Sequence, residues 1–152
     1  MSAVADTSMI PTVVTSDPVV SAWAAERGVS VAADHGGGLS ACVTNAVVEH
    51  ALPDWLVTHT DLPFVSADSL SSVATAASAA GYALAPSVDG GTNVIAGSGP
   101  FRFSYGPGSF HRHLSMVPTA AVLPDPALAV EIDTEMHLVS VRTLPIPPSL
   151  RS

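Results

Sequence analysis

Lysine is absent from this 152-residue chain, whose five basic residues are all arginine, set against thirteen acids. The net charge of −8 excludes a general nucleic-acid surface, which needs clustered cations. It equally opposes binding to an anionic membrane. Cysteine occurs once, at Cys42, which excludes an intramolecular disulfide and a cysteine-built zinc cage and fits a reducing compartment. No run approaches the roughly 18 consecutive apolar residues of a membrane helix. The first ten residues show neither the basic start nor the apolar stretch of a signal peptide. These absences together predict a cytoplasmic protein. Only 12% of residues are charged and 47% are hydrophobic, the balance of a globular chain with one sizeable core.

What is present alternates between strand and helix. Thr12 to Thr15 reads as a strand, and Asp17-Pro18 then opens a helix, with Asp as N-cap and Pro in the first turn. Val19, Val20, Trp23 and Ala24 share one of its faces, and Gly28 stops it. Val29 to Ala33 is a second strand, Asp34 to Gly38 an open glycine loop, and Leu39 to His50 a helix. Trp55-Leu56-Val57 forms a central buried strand that Pro63 ends. Ser66 caps a helix to Ala80, with Leu70, Val73 and Ala77 inward and Gly81 at its end. Tyr82 to Ala85 and Asn93 to Ala96 are strands around the Asp89-Gly90-Gly91 turn. A Gly/Pro-rich loop from Phe101 leads to a helix from about Phe110 to Met116. Ala120 to Leu123 and Leu128 to Ile132 read as the last strands, and Asp133-Thr134 caps a short final helix. The pattern predicts one α/β domain over 12–143, a three-layer α/β/α sandwich with a largely parallel sheet. Residues 1–11 lead into it and 144–152 form a Pro-rich tail.

Ligands of open α/β sheets collect beyond the carboxyl ends of strands, and four loops share that address. Asp61 stands at one strand end, where an Asx turn is the competing reading. Gly37, Gly38 and Leu39 bring exposed amides to a helix start, suited to a phosphate or to a plain turn. Thr92 and Asn93, with Gly106 and Ser109, bring hydroxyls and amides to another helix start. Strand alternation would turn Glu131 and Asp133 to one side, where with Asp61 they suit a hard divalent cation, unless Asp133 merely caps a helix. Arg112, near that helix start, is either a phosphate clamp or a solvated side chain. His111 and His113, two residues apart, lie on different helix faces and make no paired metal site. Cys42 reads as a small buried thiol, not a nucleophile.

In combination these motifs are recognisable. Asp-His-Gly-Gly-Gly-Leu at 34–39, His-Thr-Asp-Leu-Pro at 59–63, Asp-Gly-Gly-Thr-Asn at 89–93, Tyr-Gly-Pro-Gly-Ser-Phe-His-Arg-His at 105–113 and Glu-Ile-Asp-Thr at 131–134 occur in family order. The chain resembles the 2-phospho-L-lactate and phosphoenolpyruvate guanylyltransferases of coenzyme F-420 biosynthesis, over roughly residues 12–140. The resemblance implies a nucleotide-diphospho-sugar-transferase-like sandwich. It implies GTP and phosphoenolpyruvate or 2-phospho-L-lactate as substrates, Mg2+ (or Mn2+) as cofactor, and leaves a homo-oligomer open. By position it implies metal binding at Asp61 and Glu131 with Asp133 beside them, and catalytic roles for Asp61 and Arg112. Thr92, Asn93, Gly106 and Ser109 fall to the acceptor, and Gly37, Gly38 and Leu39 to the nucleotide. Ser40 stands where the family usually has Asn. The family begins with a strand and a Lys/Arg loop that cradles the triphosphate, whereas this chain matches from the family's third element. The expectation is therefore an N-terminally shortened homologue, with a catalytically impaired remnant that keeps acceptor or metal binding, or a partner surface, as the alternative.

Overall fold

Three side chains with oxygen acceptors start the clearest helices. Asp17 takes the N–H of Val19 at 2.7 Å, and Pro18 begins α1 (Pro18–Glu26). Ser66 takes the N–H of Ser69 at 3.1 Å and opens α3 (Ala67–Ala80), which Gly81 closes at a φ of +84°. Asp125 takes the N–H of Ala127 at 2.9 Å and opens α5 (Pro126–Ala129). Each satisfies an amide that a helix start leaves without a partner. The remaining helices among the described residues are α2 (Leu39–His50) and α4 (Ser109–Met116). The computed structural model describes residues 7–50 and 53–132.

The strands form two sheets. β1 (Thr12–Thr15) and β2 (Ser30–Ala33) pair in parallel, joined through α1. β3 (Asp54–Thr58), β4 (Tyr82–Pro86), β5 (Thr92–Ser98) and β6 (Ala121–Val122) form a second sheet in the order β3-β5-β4-β6. There β5 runs antiparallel to both neighbours and only β4 and β6 are parallel. The expected largely parallel sheet is thus a mixed one, and among the described residues the strand of Trp55 to Val57 is an edge strand, not a central one. The cause lies in the turn between β4 and β5. Ser87 Oγ and Asp89 Oδ1 both accept the Gly91 N–H at 2.9 Å, which reverses the chain within a few residues. A Cβ on Gly91 would lie 2.9 Å from Ser87 Oγ, so only glycine fits.

Alternation across the second sheet makes two apolar layers. Ala83, Ala85, Val94 and Ala96 meet Leu70, Val73 and Ala77 of α3 and Leu128 of α5 on one face. Leu84 and Ile95 meet Val43 of α2, Phe103 and a ring of aromatics on the other. Each fully buried Leu or Val contributes about 1.5–3 kcal/mol through removal from water. Helices on both faces give the predicted three-layer sandwich. Val19 and Val20 fall on the exposed side of α1, which buries only Ala24.

The last expected strand, Leu128 to Ile132, is absent. Asp125-Pro126 repeats the signal that starts α1, and the helix it opens holds Leu128 in the core. The residues that follow, 130–132, are neither helix nor strand. Asp133, Thr134 and the Pro-rich tail lie outside the described residues.

Candidate active site

The extended chain leaving β3 presents His59 and Asp61. The His59 N–H continues the ladder to the Asn93 carbonyl at 3.0 Å. The chain bends at Thr60, and His59 and Asp61 still each bring a ligand atom into one small volume. Glu131 arrives by a different route from the expected strand: the Ile132 N–H donates to the Asp61 carbonyl at 3.0 Å, and the Val88 N–H to the Ala129 carbonyl at 3.1 Å. One ligand atom each from His59, Asp61 and Glu131 lies within 4.8 Å of the others. His59 Nε2 and Asp61 Oδ1 are buried and have no hydrogen-bond partner among the described residues. Buried polar atoms are almost always paired, and a divalent cation bound between these side chains would satisfy such orphans. The donor set, one imidazole and two carboxylates, fits such an ion.

A second polar cluster lies between β5 and α4. His113, fully buried, accepts the Ser104 N–H at Nε2 over 2.8 Å. Its ring proton is therefore on Nδ1, donated to Thr92 Oγ1 at 3.0 Å. Ser109 Oγ reaches Thr92 Oγ1 at 3.4 Å. Burial first, and the neighbouring Arg112 charge second, lower the His113 pKa to about 4. The structure brings Thr92 and Ser109 together but turns Asn93 to the opposite face, where its Nδ2 donates to the Leu128 carbonyl at 2.9 Å.

Arg112 departs from the expected phosphate clamp. Its Nε donates to Ser104 Oγ at 3.0 Å, and Nη2 to the carbonyls of Ser104 at 2.9 Å, Tyr105 at 3.2 Å and Gly106 at 3.2 Å. Nη1 bonds the Pro107 carbonyl. The guanidinium is the internal frame of the 104–107 loop, a shape that Gly106 allows at a φ of +111°. The start of α4 is likewise closed: the Ser109 N–H goes to the Gly106 carbonyl and the Phe110 N–H to the Gly90 carbonyl. The expected anion cradle there is largely filled by the protein's own oxygens.

The glycine loop is the open one. Gly36, Gly37 and Gly38 all have positive φ, and the amides of Gly37, Gly38, Leu39 and Ser40 have no acceptor among the described residues. Asp34 anchors the loop by accepting the Gly36 N–H at 2.7 Å and the Cys42 thiol proton. These bonds, the thiol's first, lower the Asp34 pKa and raise that of Cys42, so the thiol stays protonated and unreactive. Ser40 Oγ accepts the Tyr105 N–H at 2.8 Å and ties this loop to the aromatic one. Tyr105 in turn lies between the two clusters, its ring 5.4 Å from His59 and 5.2 Å from His113. Burial pushes its phenol up, keeping the hydroxyl protonated.

Two histidines escaped the sequence reading of the site. His59 stands in the quoted His-Thr-Asp-Leu-Pro string two residues from Asp61, a spacing that signals a shared side. His113 is four residues beyond Ser109, one helical turn.

The sequence matches the model of the family described as guanylyl transferase CofC like, over residues 2–141. No curated protein matches it. Among solved structures, one from Desulfovibrio desulfuricans G20, named as a nucleotide-diphospho-sugar transferase, superimposes with a TM-score of 0.75. That likeness covers 99% of this chain and 73% of the other at 16% identity, and speaks to the fold alone.

Proposed function

As the chain belongs to the CofC-like guanylyl transferase family, we propose that it moves GMP from GTP to a phosphorylated carboxylic acid, phosphoenolpyruvate or 2-phospho-L-lactate. The observation that carries this reading is the convergence of His59, Asp61 and Glu131 at the end of β3. In the reaction an oxygen of the acceptor phosphate attacks the α-phosphorus of GTP. The bond from that phosphorus to the bridging oxygen breaks, and pyrophosphate leaves. The attacking phosphate is already ionised, so no protein base is required. A Mg2+ or Mn2+ ion held by Asp61 and Glu131 would supply neutralisation of charge on the phosphates.

The protein's own residues position the reactants. His113 fixes Thr92 Oγ1 as an acceptor of its Nδ1–H, which leaves the threonine's own proton to point toward a ligand oxygen. Arg112 holds the loop that carries Gly106. The free amides of Gly37, Gly38 and Leu39 suit the nucleotide, where a helix start favours negative charge. The test is pyrophosphate release with GTP, either acceptor and Mg2+ or Mn2+. Asp61→Asn should slow it by roughly tenfold or more, about 1.4 kcal/mol of barrier. Equal rates in the two proteins would remove Asp61 from the mechanism.

One observation favours a second reading, acceptor and cation binding without turnover. GTP brings about four negative charges to a chain already at −8. Arg27 packs over Trp23 and Arg112 is engaged by its loop, which leaves exposed Arg102 among the described cations. Thermal protection by phosphoenolpyruvate with no pyrophosphate released would favour this second reading.

A further inference from the structure

We propose that His59 is a direct ligand of the cation and that it shifts the site's preference from Mg2+ toward nitrogen-accepting divalent ions such as Mn2+ and Co2+. This inference rests on the cation-binding part of the function proposed above, and deepens it. Two carboxylates alone make an oxygen site, the chemistry that suits Mg2+. The imidazole changes the class. Mg2+ keeps oxygen ligands and its own waters, whereas first-row transition ions accept imidazole nitrogen, with affinity rising from Mn2+ toward Cu2+.

Two contacts hold His59 in place. Its main chain is pinned by the bond to the Asn93 carbonyl, and its ring lies against Tyr105 at 5.4 Å. Nε2 is buried without a partner among the described residues, and one ring nitrogen of His59 lies within 4.8 Å of carboxylate oxygens of Asp61 and Glu131. Structural histidines in interiors have their nitrogens satisfied, as His113 in this same protein does at both. Among the described residues His59 Nε2 and Asp61 Oδ1 are instead both buried without a partner.

The experiment uses Mn2+ and Co2+ themselves as probes, on the full chain. Pulsed electron paramagnetic resonance of Mn2+ bound to the unmodified protein should show coupling to one directly bound nitrogen. That coupling should vanish in His59→Gln. Calorimetric titration should give a Co2+ affinity at least tenfold lower in His59→Gln, with Mg2+ affinity changed less than about twofold, while Asp61→Asn weakens all three ions. If Mn2+ binds and is lost in Asp61→Asn, yet no nitrogen coupling appears, His59 is not a ligand and the cation site itself stands. If no ion binds the unmodified chain, both readings fall. The coupling measurement needs no variant, so a misfolded His59→Gln does not rescue the idea.

Discussion

Acid titration of His113 tests the polar cluster between β5 and α4 directly. The ring is fully buried, and both nitrogens are engaged, Nε2 as an acceptor from Ser104. Protonation has to break that bond and place a charge beside Arg112, which is why the pKa falls from 6.5 to about 4. A histidine with a folded pKa below its unfolded one stabilises the fold fully above about pH 6.5. As pH falls from 6.5 toward 4, the unfolded chain takes up a proton that the folded chain refuses, so stability declines through that window. At about 1.4 kcal/mol per pH unit, ~3 kcal/mol is lost by pH 4. That is a large part of the 5–15 kcal/mol typical of a domain. Urea unfolding at pH 7, 6, 5 and 4 should be compared between the unmodified protein and His113→Phe. At pH 7 the variant should be less stable by about 1–3 kcal/mol, because the Ser104 N–H is left unpaired in the interior. Carboxylates titrate in both proteins, so the gap between them isolates His113. The gap should shrink or reverse by pH 4. A constant gap, or a ring resonance that titrates near 6.5, would refute the assigned hydrogen bonds.

Two further substitutions probe the frame around the site. Arg112→Lys keeps the charge, but a point-like ammonium cannot serve the carbonyls of Ser104, Tyr105, Gly106 and Pro107 together. Melting should show a loss of about 1–3 kcal/mol, and transfer activity should fall with it; an unchanged melting temperature would contradict the framing role. Gly97→Ala would put a Cβ 2.2 Å from Tyr82 Cδ1 and 3.3 Å from the Trp55 ring. It should cost about 1–3 kcal/mol through overpacking, and Tyr82→Leu in the same chain should recover part of that; simple additivity of the two would rule out the clash.

Local signals in the sequence translated into structure where the interaction itself is local. Asp17-Pro18 and Ser66 mark helix starts through bonds spanning two or three residues, Gly81 ends a helix through its own positive φ, and the helix from Leu39 to His50 has the expected bounds. Sheet order was not legible in the same way. Nothing near Trp55 says that its one neighbour is β5, some forty residues on, and the βαβ rhythm suggests parallel pairing where the Asp89–Gly91 turn imposes the reverse. At residues 128–132 two local signals compete. The apolar run Leu128 to Ile132 looks like a strand, and the Asp125-Pro126 start prevails because it gives the amide of Ala127 an acceptor. In the site, Asp61 and Glu131 are legible as carboxylates and meet as expected. The fate of Arg112 was not, since four backbone carbonyls converging on one guanidinium depend on a loop shape that no spacing announces.

The division of the strands into two sheets has a consequence for how the molecule opens. A two-stranded sheet is marginal by itself, and β1, α1 and β2 bury only Ala24 and Ala32 within their bounds. Their anchorage is α2, which contacts β1 and β2 and sends Val43 and Val47 into the cluster of Leu84 and Ile95. The chain therefore consists of a strong cooperative unit around β4 and β5 and a weaker one that opens whenever α2 loosens. The glycine loop sits on that seam, at the first turn of α2. An anion held there would tie the weaker unit to the stronger, so occupancy of the loop and hydrogen-exchange protection of β1, α1 and β2 should rise together.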